Sequence, residues 1–463
     1  MRLRFAAVIR SGLAAGGMTA ALVAATPAQE TSSPPAPPVQ TPPAAAVPEV
    51  IRLTVEETVQ RAQANSPNLA RLRALEEAAA ASEKGVHTER RPDLSLLASY
   101  SYRSHVPEFT APAPGGGTQV IFPDLVNAYR TRLDLRFPLY DGRLNRDVEA
   151  AEHDRLAASH DVTSGTGDTV LAARAAYWTI VAAREEERVL REAIASFDAH
   201  LKETRDREAV GMAARNDVLT VQVDRDQAEL DRLRAENAAA ITSADLVRLL
   251  GLQPGTRVET ADELSAPPAP PGEVEALVQE AFGARPERKA LRERVAAAEA
   301  RARAAHTGNA PQLTLVGGYD YSNPNARILP LTATWQDTWD VGVNFTWALL
   351  DSGRTSAAFT QATAEAAAAG AALEDLERNI RLEVTSRFLD VGSAAAAVGV
   401  ADRNLESATE NVRVSSDRYR EGVLASADRL DAETGLLRAG LERVRALTQE
   451  QLAAAALQRA VGR

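Results

Sequence analysis

The sequence predicts a mainly α-helical chain with a membrane β-barrel component, built from two copies of one unit: short helices, a strand pair, and a long coiled-coil hairpin. Three observations predict it. The two halves of the chain align with each other, four segments alternate strictly between apolar and polar residues, and two stretches of about 70 residues contain no proline.

The repeat sets the organisation, because self-similarity at a fixed offset marks a duplicated structural unit. "SPNLARLRALEEAAAASEKGVHTERRPDLSLLASYSY" aligns without gaps to "RPERKALRERVAAAEARARAAHTGNAPQLTLVGGYDY". Pro67 matches Pro286, His87 matches His306, Pro92 matches Pro311 and Tyr102 matches Tyr321, an offset of 219 residues. After a loop that is shorter in the second copy, "FPLYDGR" (Phe137 to Arg143) matches "WALLDSGR" (Trp347 to Arg354). Further on, Gly211, Asp217 and Leu219 recur as Gly422, Asp428 and Leu430, 211 residues later. Residues 51–264 and 272–463 therefore form the two copies, joined by the Pro-rich linker 265–271.

The N-terminus reads as a leader followed by a spacer. Arg2, Arg4 and Arg10 precede a short, weakly apolar run, and the small residues Ala25 to Ala28 suit cleavage, so residues 1–28 are expected to be a signal peptide. Residues 29–50 are a Pro/Ala-rich linker that cannot build a core.

Each copy then begins with a short helix. Thr54 fits an N-cap with Glu57 at the capping-box position. Pro67 and Pro286 sit at the first turn of a second helix. Strands are expected at about 93–104 and 128–139 in the first copy, and at about 311–321 and 337–347 in the second. Tyr129, Thr131, Leu133, Leu135 and Phe137 fall on one face, with Arg130, Arg132, Asp134 and Arg136 on the other. Trp339, Val341, Val343, Phe345 and Trp347 repeat the pattern, and aromatics gather at the ends of the apolar band, as in outer-membrane barrel strands.

The proline-free stretches, Gly142 to Gly211 and Gly353 to Gly422, allow helices of about 100 Å at 1.5 Å per residue. Leu190, Ile194, Phe197, Leu201 and Thr204 make a heptad seam leading to the first glycine. Beyond it, Leu219, Val223, Leu230 and Leu233 fit a second seam, so each long helix is expected to fold back on itself. Gly211 and Gly422 mark the two hairpin tips, where glycine terminates helices. Gly165 and Gly167 in "TSGTGD" are expected to loosen the first long helix.

Composition excludes several classes. There is no cysteine, hence no disulfide, thiolate metal site or lipidated N-terminal cysteine. Net charge is -11 without a basic block, which argues against nucleic-acid binding. No nucleophile elbow, phosphate loop or dinucleotide fingerprint is present, and no pair among the six histidines shows ligand spacing with nearby carboxylates, so neither an enzyme nor a cofactor is expected. His87 and His306 are repeat counterparts that read as turn or interface residues.

Four strands cannot close a barrel, and an open edge cannot face lipid, so other copies of the chain must complete the sheet. Three copies would supply twelve strands. With the duplicated order and the motifs "FPLYDGR", "WALLDSGR" and the two glycine tips, residues 51 to 460 resemble the TolC-like outer-membrane efflux and secretion channels. The resemblance implies a homotrimer: a twelve-stranded barrel in outer-membrane lipid, continuous with a helical tunnel across the periplasm. It implies a passive duct serving an inner-membrane RND or ABC transporter through a periplasmic adaptor, in a tripartite efflux pump or a type I secretion system. It also implies carboxylate rings at the tunnel entrance, here Asp428 and Asp431, and a tip latch matched by Tyr419 and Asp217. The family's latch arginine is replaced by Leu424. Gly211, Gly422, Val210, Val423 and Leu424 fall on the tips where an adaptor would dock, and Arg130, Arg132, Asp134 and Arg136 would line the barrel lumen. The competing reading is a periplasmic coiled-coil structural or adaptor protein without a barrel, which leaves the amphipathic strand pairs unexplained.

Overall fold

The computed structural model describes residues 50–269 and 272–463, so the expected signal peptide and nearly all of the Pro/Ala linker lie outside the described residues. In chain order the elements are β1 (Val50–Leu53), α1 (Val55–Asn65), α2 (Pro67–Thr88), β2 (Asp93–Tyr102), β3 (Phe109–Pro112), β4 (Thr118–Phe122), β5 (Asn127–Tyr140), α3 (Leu144–Ala209) and α4 (Arg215–Leu249). Then follow β6 (Arg257–Thr260), α5 (Val274–Ala284), α6 (Pro286–His306), β7 (Gln312–Asn323), β8 (Gln336–Thr346), α7 (Arg354–Arg420) and α8 (Ser426–Val461).

Local chemistry accounts for the helix boundaries. Thr54 Oγ1 accepts from the Glu57 amide while Glu57 returns a bond from its carboxylate to the Thr54 amide, the capping box expected from sequence. Pro67 and Pro286 occupy the first turns of α2 and α6. The two repeat motifs are strand-to-helix turns. Asp141 accepts from the amides of Arg143 and Leu144, and Asp351 from those of Gly353 and Thr355, so each carboxylate satisfies otherwise unpaired donors where a 66- or 67-residue helix begins.

Four strands form one antiparallel sheet in the order β2-β5-β7-β8, so the strand pairs of the two copies meet at β5 and β7. Leu96 faces Leu133, which faces Tyr319, which faces Trp339; register thus places the apolar sets of all four strands on one face. β2 and β8 remain as open edges. The loop between β2 and β5 carries its own hairpin, β3–β4, which the alternation pattern did not reveal.

The long helices fold back as α3–α4 and α7–α8, with α2 and α6 packed alongside. The α3 seam is as expected: Leu190, Ile194, Phe197 and Leu201 are buried, the last three against Val218, Val221 and Ala228 of α4 and Leu430 of α8. The α4 seam differs from expectation. Leu219, Val223, Leu230 and Leu233 point outward, whereas Val218, Val221, Ala228 and Ala235 face inward. The inward set also steps by three and seven, and its smaller side chains let the antiparallel helices approach closely; both stripes are apolar, and size decides between them.

The glycines of "TSGTGD" do not loosen α3, which runs unbroken. A Cβ at Gly165 would lie 2.2 Å from Leu72 Cδ1, and one at Gly167 would lie 3.0 Å from Arg459 Nε, so these positions admit the neighbouring elements α2 and α8.

Against the middle of α3, β1 pairs in parallel with β6, a strap absent from the sequence reading. Tyr177 of α3, fully buried, knots it together. Its hydroxyl lies 2.6 Å from Asp262 Oδ2 and 3.0 Å from the Leu53 carbonyl, and accepts from the amides of Ala261 and Asp262. Burial, with Asp262 adding, pushes this phenol up to about 12, so it remains a donor at any ordinary pH.

Candidate functional site

Two regions collect the residues that sequence analysis singled out, the sheet and the hairpin tips. On the polar face of the sheet, Arg130 Nε lies 2.5 Å from Asp320, Arg132 Nε 2.7 Å from Asp134, and an Arg132 amino group 3.4 Å from Asp340. Arg327 pairs with the other oxygen of Asp340 at 3.0 Å. Arg132 can reach across β7 because Gly318 lies beneath it; a Cβ there would fall 2.2 Å from its Nη2. The result is a charge ladder across β5, β7 and β8. Arg136 shares that face nearer the helices and lines a crevice with Thr88, Asp93 and Tyr140.

The opposite face is apolar and bare. Leu94, Leu96, Tyr100, Tyr102, Trp339, Val341, Val343 and Phe345 are each more than half exposed. A water-soluble sheet would cover such a surface, since contiguous apolar patches of this kind mark interaction or membrane sites. Among the described residues no helix is long and apolar enough to cross a membrane; this sheet carries the apolar surface instead.

At the far end, both tips close with the same backbone motif. Gly211 and Gly422 adopt φ of +75° and +78°. The amide of Met212 bonds the Arg207 carbonyl and that of Gly211 the Glu208 carbonyl; Val423 with Arg418, and Gly422 with Tyr419, repeat the arrangement. These paired bonds satisfy the last helical carbonyls and require a left-handed residue, hence glycine. Val210, Met212 and Val423 stand out into solvent at 69–76% exposure, with Leu424 partly covered.

Just inside the tips lies a buried polar network joining the two hairpins. Tyr419 of α7 is 3% exposed, with Arg207 of α3 4.1 Å above its ring and Arg429 of α8 at 5.2 Å. Arg207 also donates to the Tyr419 carbonyl at 2.8 Å and to Glu203 at 3.1 Å. Arg429 donates to Glu203 at 2.7 Å and Glu433 at 3.2 Å. Fully buried His200 lies 2.8 Å from Glu433 and 3.2 Å from Ser426 Oγ. Burial works against the Glu203 carboxylate, yet Arg429 and Arg207 hold it below the usual range.

Of the two expected latch residues, only Tyr419 sits in this network. Asp217 turns back to cap α4 through the Ala214 amide at 3.2 Å, and no hydrogen bond or ion pair joins it to Tyr419 among the described residues. Where Leu424 leaves the arginine position unfilled, Arg207 and Arg429 bring guanidinium groups to the tyrosine. Arg207, His200, Glu203 and Glu433 were missed because a single α3 or α8 segment gives no sign that these side chains converge; the one available signal was polar residues interrupting the buried seam at His200 and Thr204.

Asp428 and Asp431 are exposed on the face of α8 opposite the buried Arg429, Ala432 and Glu433. Asp224 of α4 joins them: its carboxyl is raised by burial and by the charge of Asp431. Three carboxylates from two helices thus lie close together, and among the described residues none of them forms an ion pair.

The described residues show no catalytic arrangement in either region. A model of the family described as outer membrane efflux protein matches residues 58–252 and 277–463, leaving the join between the two copies unmatched. The outer membrane protein TolC of Vibrio cholerae is 23% identical over 384 residues, covering 81% of this chain and 83% of that protein. Among solved structures, the outer-membrane channel OprN superposes with a TM-score of 0.74 at 22% identity, covering 88% of this chain and 89% of that one. VceC, an outer membrane protein of Vibrio cholerae, gives 0.74 at 20% identity, with 88% and 96% covered.

Proposed function

The chain belongs to the outer membrane efflux protein family, and we propose that it is the outer-membrane duct of a tripartite efflux pump or a type I secretion system. Three copies complete a barrel of twelve strands, because β2 and β8 are open edges whose backbone groups need partners in lipid. The observation that carries the reading is the division of the sheet, a charge ladder on one face and exposed aromatics and aliphatics on the other. That division suits a water-filled lumen inside and lipid outside. On this reading Arg130, Arg132, Asp134 and Arg136 line the lumen.

The hairpins continue the barrel as a tunnel into the periplasm, where an adaptor and an inner-membrane transporter of the RND or ABC class engage the tips. Val210, Gly211, Gly422, Val423 and Leu424 form the docking surface, supported by the exposure of the two valines. Asp428 and Asp431, with Asp224, narrow the entrance; threefold repetition concentrates carboxylates at one constriction, which favours cations. Tyr419 with Arg207 and Arg429 holds the two hairpins together at the closed entrance. The duct does no chemistry of its own.

The test is single-channel conductance of the detergent-purified mature protein in a planar bilayer, beside the Asp428→Ala, Asp431→Ala double variant. Small, cation-selective openings whose selectivity and block by polyvalent cations fall in the variant support the reading. A protein that is soluble without detergent and never inserts refutes it in favour of a periplasmic coiled-coil protein.

A further inference from the structure

His87 has the carboxylate of Glu83 near it in sequence, and the fold supplies a second. His87 lies in the last turn of α2, and Glu83, four residues earlier, shares its helix face. Glu152 reaches across from α3. His87 Nε2 stands 3.5 Å from Glu152 Oε1 and 4.0 Å from Glu83 Oε1. One ligand atom from each residue falls within 4.8 Å of the others, the one such three-residue group among the described residues.

We propose that Glu83, His87 and Glu152 form a binding site for a borderline divalent cation, zinc fitting best. Imidazole with two carboxylates suits zinc better than calcium or magnesium, which favour all-oxygen shells. Bonds of about 2.0–2.1 Å in a tetrahedron put neighbouring ligand atoms about 3.4 Å apart. The Glu152 separation matches that edge and the Glu83 separation exceeds it by about 0.6 Å, a gap that rotation of the Glu83 and His87 side chains closes. Water completes the fourth position on the exposed side.

Arg155 supports the arrangement. Its guanidinium forms an ion pair with Glu83 Oε2 at 2.5 Å and leaves Oε1 on the side of His87, as an outer-shell partner of a ligating carboxylate would. Two carboxylates against one guanidinium leave net negative charge for a cation. The other histidine–carboxylate contacts, His105 with Asp124, His153 with Glu293 and His200 with Glu433, have one acidic partner each. The second repeat lacks the site as well: at the position matching Glu83 it carries Ala302, and His306 packs on Phe359.

The location gives the cation a mechanical role. α2 enters the β2–β5 strand pair and α3 leaves it. A cation shared by Glu83, His87 and Glu152 staples the two helices at the root of the first strand pair.

The experiment is a zinc titration of the purified full-length protein in detergent against a chromophoric chelator, with thermal unfolding followed in parallel. One zinc bound per chain is expected, weakened at least tenfold by His87→Ala and by Glu152→Gln and unchanged by His306→Ala or His153→Ala. Zinc is also expected to raise the unfolding midpoint of the parent and not that of His87→Ala. His87 is partly exposed, so its replacement leaves the core intact, and circular dichroism of the variant checks this. Absence of saturable binding at one zinc per chain overturns the site, as does binding by His87→Ala equal to that of the parent.

Discussion

Replacing Glu287 by Gln removes the charge at a junction where three helices meet. Glu287 lies in the first turn of α6 and pairs with Arg459 near the end of α8; Arg459 also donates to Asp168 of α3 at 2.8 Å. Ser164 donates to Glu287 at 3.0 Å. Burial opposes the charged carboxylate, but Arg459 outweighs it and holds the group at about 2, against an ordinary 4.5. A depressed carboxylate contributes stability above its unfolded value that disappears as pH falls toward its folded one. At 1.36 kcal/mol per unit the full contribution is about 3 kcal/mol, of which about 2 kcal/mol is gone by pH 3. The assay is thermal unfolding of parent and Glu287→Gln in parallel at pH 6, 4.5 and 3, so that other titrating carboxylates cancel. The difference between the two proteins should narrow by about 2 kcal/mol between pH 6 and pH 3. A difference that stays constant across this range would refute the linkage. Arg459→Met, which strands the carboxylate, should cost about 3 kcal/mol at neutral pH and recover most of it when combined with Glu287→Gln.

Leu135→Arg should impair membrane assembly far more than Asp134→Asn, because an arginine on the lipid face of a barrel costs about 2–4 kcal/mol; the heat-resistant oligomer fraction on a gel measures it, and equal fractions contradict the assigned facing. Tyr177→Phe should lower stability by about 1–3 kcal/mol by leaving Asp262 and the β1–β6 strap short of their buried hydrogen bonds, read by denaturant unfolding. Gly422→Ala should cost about 1–2 kcal/mol through its φ of +78°, with nothing within 4 Å of the added carbon; the loss should appear as faster amide exchange confined to the tip. Arg207→Met should raise single-channel open time by removing both the guanidinium over Tyr419 and its bond to the Tyr419 carbonyl, and an unchanged open time places the closing contacts elsewhere.

The sequence by itself determined the duplication, the four sheet strands and the face each residue occupies, the lengths of the long helices and the position of both tips. These follow from local rules: period-two alternation, absence of proline, and glycine where the backbone must turn left-handed. Tertiary structure decided what local rules leave open. It selected Val218, Val221, Ala228 and Ala235 over the larger Leu219 stripe of α4, because close antiparallel packing rewards small side chains. It kept α3 continuous through Gly165 and Gly167, because Leu72 and Arg459 fill the space a Cβ would need. It paired β1 with β6 across some two hundred residues, a contact no short window contains. At the tips it separated Asp217 from Tyr419 and gathered Arg207, Arg429, His200 and Glu433 instead, since which charges meet depends on the rotation of three helices about their own axes. Periodicity fixes the face a residue takes on its own helix, and packing alone fixes which face of the next helix it meets.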